Sequence, residues 1–497
     1  MHKPALYVVF MLTIAILDVT AQTPKRLGPG PAEEIEKTFR IVQANLDSVK
    51  AHRAYIFAKG MNNPLLFDQY EEWMRKYPEN VNIPLAIGTV YYNARMPQPK
   101  NFLLRAATLD PKNAKIWFML AADADMASQN ERAVEYMEKA VSTDPSNASY
   151  AYFYLKLLEN KDPHLFKNKI LEFVKQFPTD QRGALGLYNL SQSSENAAER
   201  IYYLEQLRKQ YPPQKYAGSA SGMIALADAY IQTDLQKASQ LISEMGSKSD
   251  WELRRKVTES LIRVNAFEQQ KNYESAIVEI NKIVAPRFNY LGEFLLLKKA
   301  SLLENLGDTQ AAYDSIAVRY AKSPTDTLYN ALKFYGNKVG KNEDLVVKDI
   351  DAIRYSAAIE AYPFDLEQYA VTERLNLKAL KGKVVLLTFW FPGCGPCREE
   401  FPHFQSVVDS FRKDSLAYIG INIIPSQDGY VIPFMRNTKY SFIPLRGSTE
   451  FAEKNFGVSG APQNFLIDKN GKIVFKDFTI NQLNRRTLEL MIASLLK

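Results

Sequence analysis

The chain has 497 residues, room for about three or four domains of ordinary size. Its apolar fraction of 46% is that of a globular protein and excludes a disordered or collagen-like chain. The net charge of +7 is small for this length, Lys and Glu are interleaved, and there is no basic run or aromatic–basic patch, so no nucleic-acid partner is expected.

At the start, His2 and Lys3 lead into an apolar run from Ala5 to Leu17, about 13 residues, broken by Asp18. Val19-Thr20-Ala21 supplies small residues at a cleavage position. This pattern predicts a secretory signal peptide over 1–21, a linker over 22–34, and an exported, periplasmic protein. The run falls short of the roughly 20 residues that span a bilayer. The alternative is an uncleaved N-terminal segment that holds an otherwise soluble protein at the membrane. No cysteine lies near the cleavage site, which excludes lipid anchoring through an N-terminal cysteine. No later segment is long and apolar enough to span a membrane.

Residues 35–361 read as helices. Glycine is sparse and apolar residues recur at helical spacing, as in Leu65-Leu66, Tyr70, Trp73-Met74 and Tyr77. Pro78, Pro111, Pro145, Pro178 and Pro212 follow one another at intervals of 33, 34, 33 and 34 residues, and each is expected to end a helix. A period near 34 resembles that of tetratricopeptide repeats. The clearest unit is 114–147, with Trp117, Leu120, Ala121, Ala124, Ala133, Met137, Ala140 and Pro145 at the repeat positions. A later unit carries Leu296, Ala300, Leu303, Ala312, Ile316 and Pro324, and a weaker one Ala276 and Ile280. The resemblance implies six to eight helical hairpins stacked as a solenoid whose concave face can take a protein partner. The plainer alternative is an irregular helical bundle with no binding role. The histidines carry no partner motif, and His403 reads as a surface residue. The polar stretch 336–345 is expected to end the helical region, with 346–362 a further helix or a linker.

Residues 362–497 read differently. Val384-Val385-Leu386-Leu387 runs on into Phe389-Trp390-Phe391, β-branched and aromatic, the mark of a buried strand. Pro392-Gly393 breaks it, and Pro396 with Arg398-Glu399-Glu400 looks like the first turn of a helix. The chain's two cysteines, Cys394 and Cys397, fall at this strand-to-helix junction, three apart and on one helix face. A thiolate at a helix N-terminus is stabilised by free amides and the helix dipole, which lowers its pKa to roughly 7 or below. Cys394 is therefore expected to be an exposed attacking nucleophile and Cys397 the resolving thiol, the two joining as a disulfide. The bland readings are a structural disulfide and a metal site. The latter is weak, because zinc takes four ligands and only His403 lies near. Further strands or helices are expected at 416–424, 428–439, 451–456, 464–468 and 472–475. A last helix, 482–496, should lay Leu483, Leu488, Met491, Ile492 and Leu495 on the sheet.

Lys381-Gly382-Lys383-Val384-Val385, Phe389-Trp390, CGPC, Arg398–Pro402 and the block 457–468, about 65 residues on, together resemble the TlpA/ResA-type thioredoxin-like thiol-disulfide oxidoreductases. The resemblance implies an α/β thioredoxin-like domain in which Pro462 follows a cis peptide bond and packs against the disulfide, while Ala461 offers backbone bonds to a substrate chain. It also implies that Glu400 tunes the site; Trp390 and Pro396 are expected, with Ala461 and Pro462, among the substrate-binding residues. Two departures stand out. The family carries Trp before its first cysteine, where this chain has Gly393. Thioredoxin keeps a buried Asp six residues before that cysteine, where this chain has Thr388.

The reading is thus a multidomain chain, an all-α helical-repeat solenoid followed by an α/β thioredoxin-like domain. The function expected is an exported disulfide reductase acting on protein substrates without metal or organic cofactor, fed with electrons by a membrane thiol donor, its repeats docking a protein partner. The rival is a non-enzymatic scaffold whose redox pair is sensory or structural. A peroxiredoxin is disfavoured by the CGPC motif.

Overall fold

The computed structural model describes residues 28–497 except 100, 160–162, 195, 247–248 and 287–289. The expected signal peptide lies outside them. The chain divides into two compact units, Met1–Phe166 and Lys167–Lys497.

Among the described residues, nineteen α-helices run from Ala32 to Ala357. The proline punctuation works as the sequence suggested. The helices Pro64–Lys76, Phe102–Leu109, Asn130–Thr143, Pro163–Gln176 and Ala197–Gln210 each stop two residues before one of the five prolines. The residue between them leaves the helical region, as at Tyr77 (φ −128°, ψ 67°), because a following proline clashes with the α conformation.

In the first unit, the helices Ala114–Met126 and Asn130–Thr143 pack through Ala121, Ala133 and Ala140, all fully buried. Small side chains there let the two backbones approach closely. His52 is buried and satisfied: Nδ1 pairs with Tyr70 Oη at 2.7 Å and Nε2 with the Leu46 carbonyl at 2.7 Å. Burial lowers its pKa, so it serves as a neutral packing group.

In the second unit, one buried ion pair holds three chain segments. Arg254, on Ser249–Gln269, donates Nε to Asp228 Oδ1 at 2.9 Å and Nη2 to Asp228 Oδ2 at 3.1 Å, both side chains having no exposure. Asp228 lies on Ala220–Thr233 and also accepts the Tyr290 backbone N–H at 2.9 Å. The helices do not end at Gly336. That residue is buried within Asp326–Lys338, and Glu343–Ala357 follows and packs on Thr309–Lys322. The stretch at 336–345 looked terminal because Asn337, Gly340 and Lys341 are polar turn formers; Gly340, at φ +74°, turns the chain into the next helix.

The sheet region contains β1 (Ile359–Glu360), β2 (Asp365–Glu367), β3 (Arg374–Asn376), β4 (Val384–Trp390), β5 (Leu416–Asn422), β6 (Ile443–Arg446), β7 (Gln463–Ile467) and β8 (Lys472–Lys476). Six of them form one sheet in the order β1-β8-β7-β4-β5-β6, while β2 and β3 form a separate hairpin. β4 is parallel to β5 and antiparallel to β7. Every residue of β4 and β5 is buried, because both faces are covered. Val384, Leu386 and Trp390 face a core built with the helices Gly395–Val408 and Arg485–Leu496. Val385, Leu387 and Phe389 face an opposite core that includes Phe451 and Phe456. Two covered faces turn the alternation of a strand into a continuous apolar run. The last helix begins at Arg485, so Leu483 lies before it and is 47% exposed, while Leu488, Met491, Ile492 and Leu495 are buried. Gly471, at φ +94°, closes the β7–β8 hairpin.

Replacing Asp228 with Ala removes the carboxylate that faces a fully buried guanidinium and should destabilise the protein by about 3–5 kcal/mol. Denaturant unfolding of full-length wild type and variant checks this; an unchanged midpoint contradicts it.

Candidate active site

Strand β4 carries the chain out of the core, and Pro392-Gly393 turns it into the helix Gly395–Val408. Cys394 is the N-cap of that helix, and its Sγ accepts the Cys397 backbone N–H at 3.2 Å. Pro396 occupies the first turn, where a missing N–H costs nothing, and is exposed. The helix starts early enough that Glu399 and Glu400 fall beyond its first turn. The two cysteines form a disulfide, with Cα atoms 5.3 Å apart.

Cys394 is not the exposed residue that its position suggested. It is 2% exposed and Cys397 is fully buried, both within the core that contains Phe401 and Trp390, with Phe391 and Ala461 packed against it. Trp390 needs a larger correction. It is fully buried and has no surface for a substrate. Its ring packs edge-on to Phe401 (5.4 Å between centroids) and Phe442 (5.1 Å), and the absence of a side chain at Gly420 makes room: a Cβ there would lie 2.8 Å from Trp390 Nε1. The side chain at the last position of β4 points into the core, so Trp390 supports the CGPC loop from below.

The β4–β7 register pairs Thr388 with Asn464 and Phe389 with Gln463. Carried two residues further, it sets Phe391 across from Ala461. The Ala461–Pro462 peptide bond is cis, and both residues are half-buried just outside the β7 ladder.

Glu400, one turn past Cys397, is 4% exposed. Its Oε2 accepts from Asn464 Nδ2 at 3.0 Å and its Oε1 from the Ile480 N–H at 2.7 Å. Burial dominates over these two bonds and raises its pKa from the carboxylate range to about 7. An acid so placed exchanges a proton near neutral pH. Thr388, at the position of thioredoxin's buried Asp, is fully buried and its Oγ1 has no partner among the described residues. Asn464 and the Ile480 amide were not singled out as site groups. Asn464 could have been noticed, as a polar residue inside the otherwise apolar strand Asn464-Phe465-Leu466-Ile467; the Ile480 contribution is backbone and leaves no mark in side-chain pattern.

A six-stranded sheet covered by helices, a CxxC pair capping the helix after its central strand and a cis-proline just before β7 define a thioredoxin-like domain. Residues 359–476 match the model of the AhpC/TSA family. Thiol-disulfide oxidoreductase ResA of Bacillus subtilis is 31% identical over 102 residues, 20% of this chain and 56% of that protein. The sporulation thiol-disulfide oxidoreductase A of the same organism is 30% identical over 95 residues, 19% of this chain and 58% of that protein. The chain thus spans little more than half the length of the curated relatives it matches. Among solved structures, StoA from Bacillus subtilis is 25% identical, with a TM-score of 0.23, covering 27% of this chain and 97% of that one. A thioredoxin-family thiol:disulfide interchange protein from Chlorobium tepidum is 19% identical, with a TM-score of 0.26, covering 28% and 97%. Among the described residues, no helix is long and apolar enough to cross a membrane.

Thr388→Val removes a buried hydroxyl that bonds to nothing. Its expected effect is unchanged stability or a gain of about 1 kcal/mol, read from a denaturation midpoint. A loss of that size would mean that the hydroxyl has a partner.

Proposed function

We propose that the protein is an exported thiol-disulfide oxidoreductase that reduces disulfides in protein substrates through Cys394 and Cys397. The observation that carries this reading is the disulfide at a helix N-terminus together with Glu400, one turn past Cys397 on the same helix and buried with a pKa near 7.

In the reduced enzyme the Cys394 thiolate attacks one sulfur of the substrate disulfide. A new S–S bond joins Cys394 to the substrate, and the other substrate sulfur leaves as a thiolate and takes up a proton. Cys397 then gives its proton to ionised Glu400 and attacks Cys394 Sγ. The mixed disulfide breaks, the second substrate thiolate is released and protonated, and the enzyme is left with Cys394–Cys397. Two electrons have moved from the enzyme's dithiol to the substrate. Ala461, outside the ladder, would hold the substrate chain in a strand-like pairing beside Pro462, with Pro396 on the rim. Each turnover oxidises the enzyme, so a membrane thiol donor would have to reduce it again. The helices before Ala361 would act as tetratricopeptide-type repeats that dock a protein partner. The reductase direction rests on the CGPC motif and export on the N-terminal segment.

Cys394→Ser should abolish reduction of a test protein disulfide, and Cys397→Ser should accumulate the mixed disulfide; retained turnover in the first variant would refute the assignment. If a null strain instead needs the helices for complementation and tolerates Cys394→Ser, the scaffold reading holds.

A second outcome concerns pH. Because the Glu400 pKa is raised, the carboxylate form that accepts a proton appears only as pH rises through about 7. Resolution of the mixed disulfide should therefore speed up across that pH. In Glu400→Gln it should be slowed about a hundredfold at neutral pH, the contribution typical of a positioned base, and should lose the inflection. Rapid-quench measurement of mixed-disulfide decay against pH decides this.

A further inference from the structure

The loop before the nucleophile is where this chain departs from the pattern it resembles, with Gly393 in place of Trp. The structure holds that loop by another means. The Gly393 N–H donates to Gln427 Oε1 at 2.8 Å. Gln427 is 2% exposed and lies on a short turn, Pro425–Gln427, that follows β5. Its side chain makes no other hydrogen bond among the described residues.

The turn is braced from behind. The Gln427 N–H donates to the Ile424 carbonyl at 2.9 Å. Asn422, fully buried, accepts the Ile424 N–H at 3.0 Å and donates Nδ2 to Asp428 Oδ1 and to Tyr369 Oη, each at 2.8 Å. Arg446 donates to Asp428 Oδ2 at 2.6 Å, and its guanidinium lies 4.1 Å from the centroid of the Tyr369 ring. On the other side, the Ile423 N–H reaches the Trp390 carbonyl at 2.9 Å, so the start of the turn is tied to the end of β4. A buried amide fixed in this way, with its carbonyl on the N–H of the residue just before the first cysteine, is more than core packing requires.

We propose, building on the oxidoreductase reading above, that Gln427 is a positioning residue for Cys394. Two contacts set the nucleophile. The Cys394 N–H donates to the Phe391 carbonyl at 2.9 Å, and Cys394 Sγ receives the Cys397 N–H at 3.2 Å. Both depend on where Gly393 lies, because that peptide leads directly into Cys394, and Gln427 is the side chain that holds it. With the acceptor removed, Gly393 gains freedom, Sγ spends less time at the helix N-terminus, and the thiolate is less stabilised. The charged groups around the loop are Arg398, Glu399 and Glu400 on the CGPC helix and Asp428 and Arg446 behind the turn; substitution at 427 leaves all five in place.

The test uses full-length reduced protein and follows alkylation of Cys394 by iodoacetamide across the pH range in which a thiol titrates, with the melting temperature measured alongside. Gln427→Met keeps the volume and removes the acceptor; Gln427→Ala removes both. The expected result for both is alkylation about tenfold slower at neutral pH and a midpoint about one unit higher, with the same alkaline plateau. If folded Gln427→Met or Gln427→Ala titrates as the wild type does, including the case where only the melting temperature falls, the proposal is overturned. Alkylation needs no substrate. If the wild type fails to reduce protein disulfides, the function proposed above falls while this measurement still decides the role of Gln427.

Discussion

Strand β4 lies between β5 and β7 with helices on both faces, and the site depends on that enclosure. A strand with every side chain buried cannot slip by one residue, because slipping would exchange the two cores. Its end is therefore a fixed point in space. Trp390, buried at that end, is locked by Phe401, Phe434 and Phe442, and the peptides just beyond it deliver Cys394 to the helix N-terminus. The apolar core thus fixes the position of the disulfide a few residues further on.

The same enclosure produces the acid. A carboxylate taking two hydrogen bonds from Asn464 and Ile480 would, in water, have a lowered pKa. In Glu400 the cost of removing the charge from water outweighs them. Glu400 lies on the buried face of the helix Gly395–Val408, where it meets Asn464 of β7 and the Ile480 amide. Thr388 offers no ionisable group at the depth where thioredoxin has one. Here the ionisable group, Glu400, is carried by the helix, one turn past Cys397.

The parts visible in the sequence were those governed by local rules. The proline spacing located five helix ends, because the restriction on the residue before proline acts within one peptide. The β4 run and the CGPC break located the site, because burial on both faces and a proline at the helix start both leave compositional marks. Trp390 was misread because motif proximity says nothing about which way the last residue of a strand points, and that depends on Gly420 in the neighbouring strand. The burial of Cys394 was missed because the core it belongs to is completed by residues far away in sequence, Phe442 and Leu466 among them. Gln427 left no signal at all. It lies in a polar turn, and its meaning comes from a backbone amide 34 residues upstream.

The seam between helices and sheet was also hidden. Helix Glu343–Ala357 runs into β1, whose Ile359 pairs with Ile473 of β8, and the Ala361 N–H reaches the Gly471 carbonyl at 2.9 Å. Arg354, 7% exposed, donates to the Ala321 carbonyl at 3.2 Å while its guanidinium sits 5.3 Å from the Phe475 ring centroid. These contacts are backbone pairing and buried packing, so they resist shear far better than the exposed Arg486–Asp326 pair at 3.3 Å, which is worth little by itself. The helices of the second unit and the thioredoxin-like domain are joined by strand pairing and buried contacts. On the function proposed above, a partner docked on those helices would be brought to the chain segment that leads into the sheet holding Cys394 and Cys397. Under that proposal, selectivity for one substrate disulfide would come from where the partner docks and not from the chemistry of Cys394.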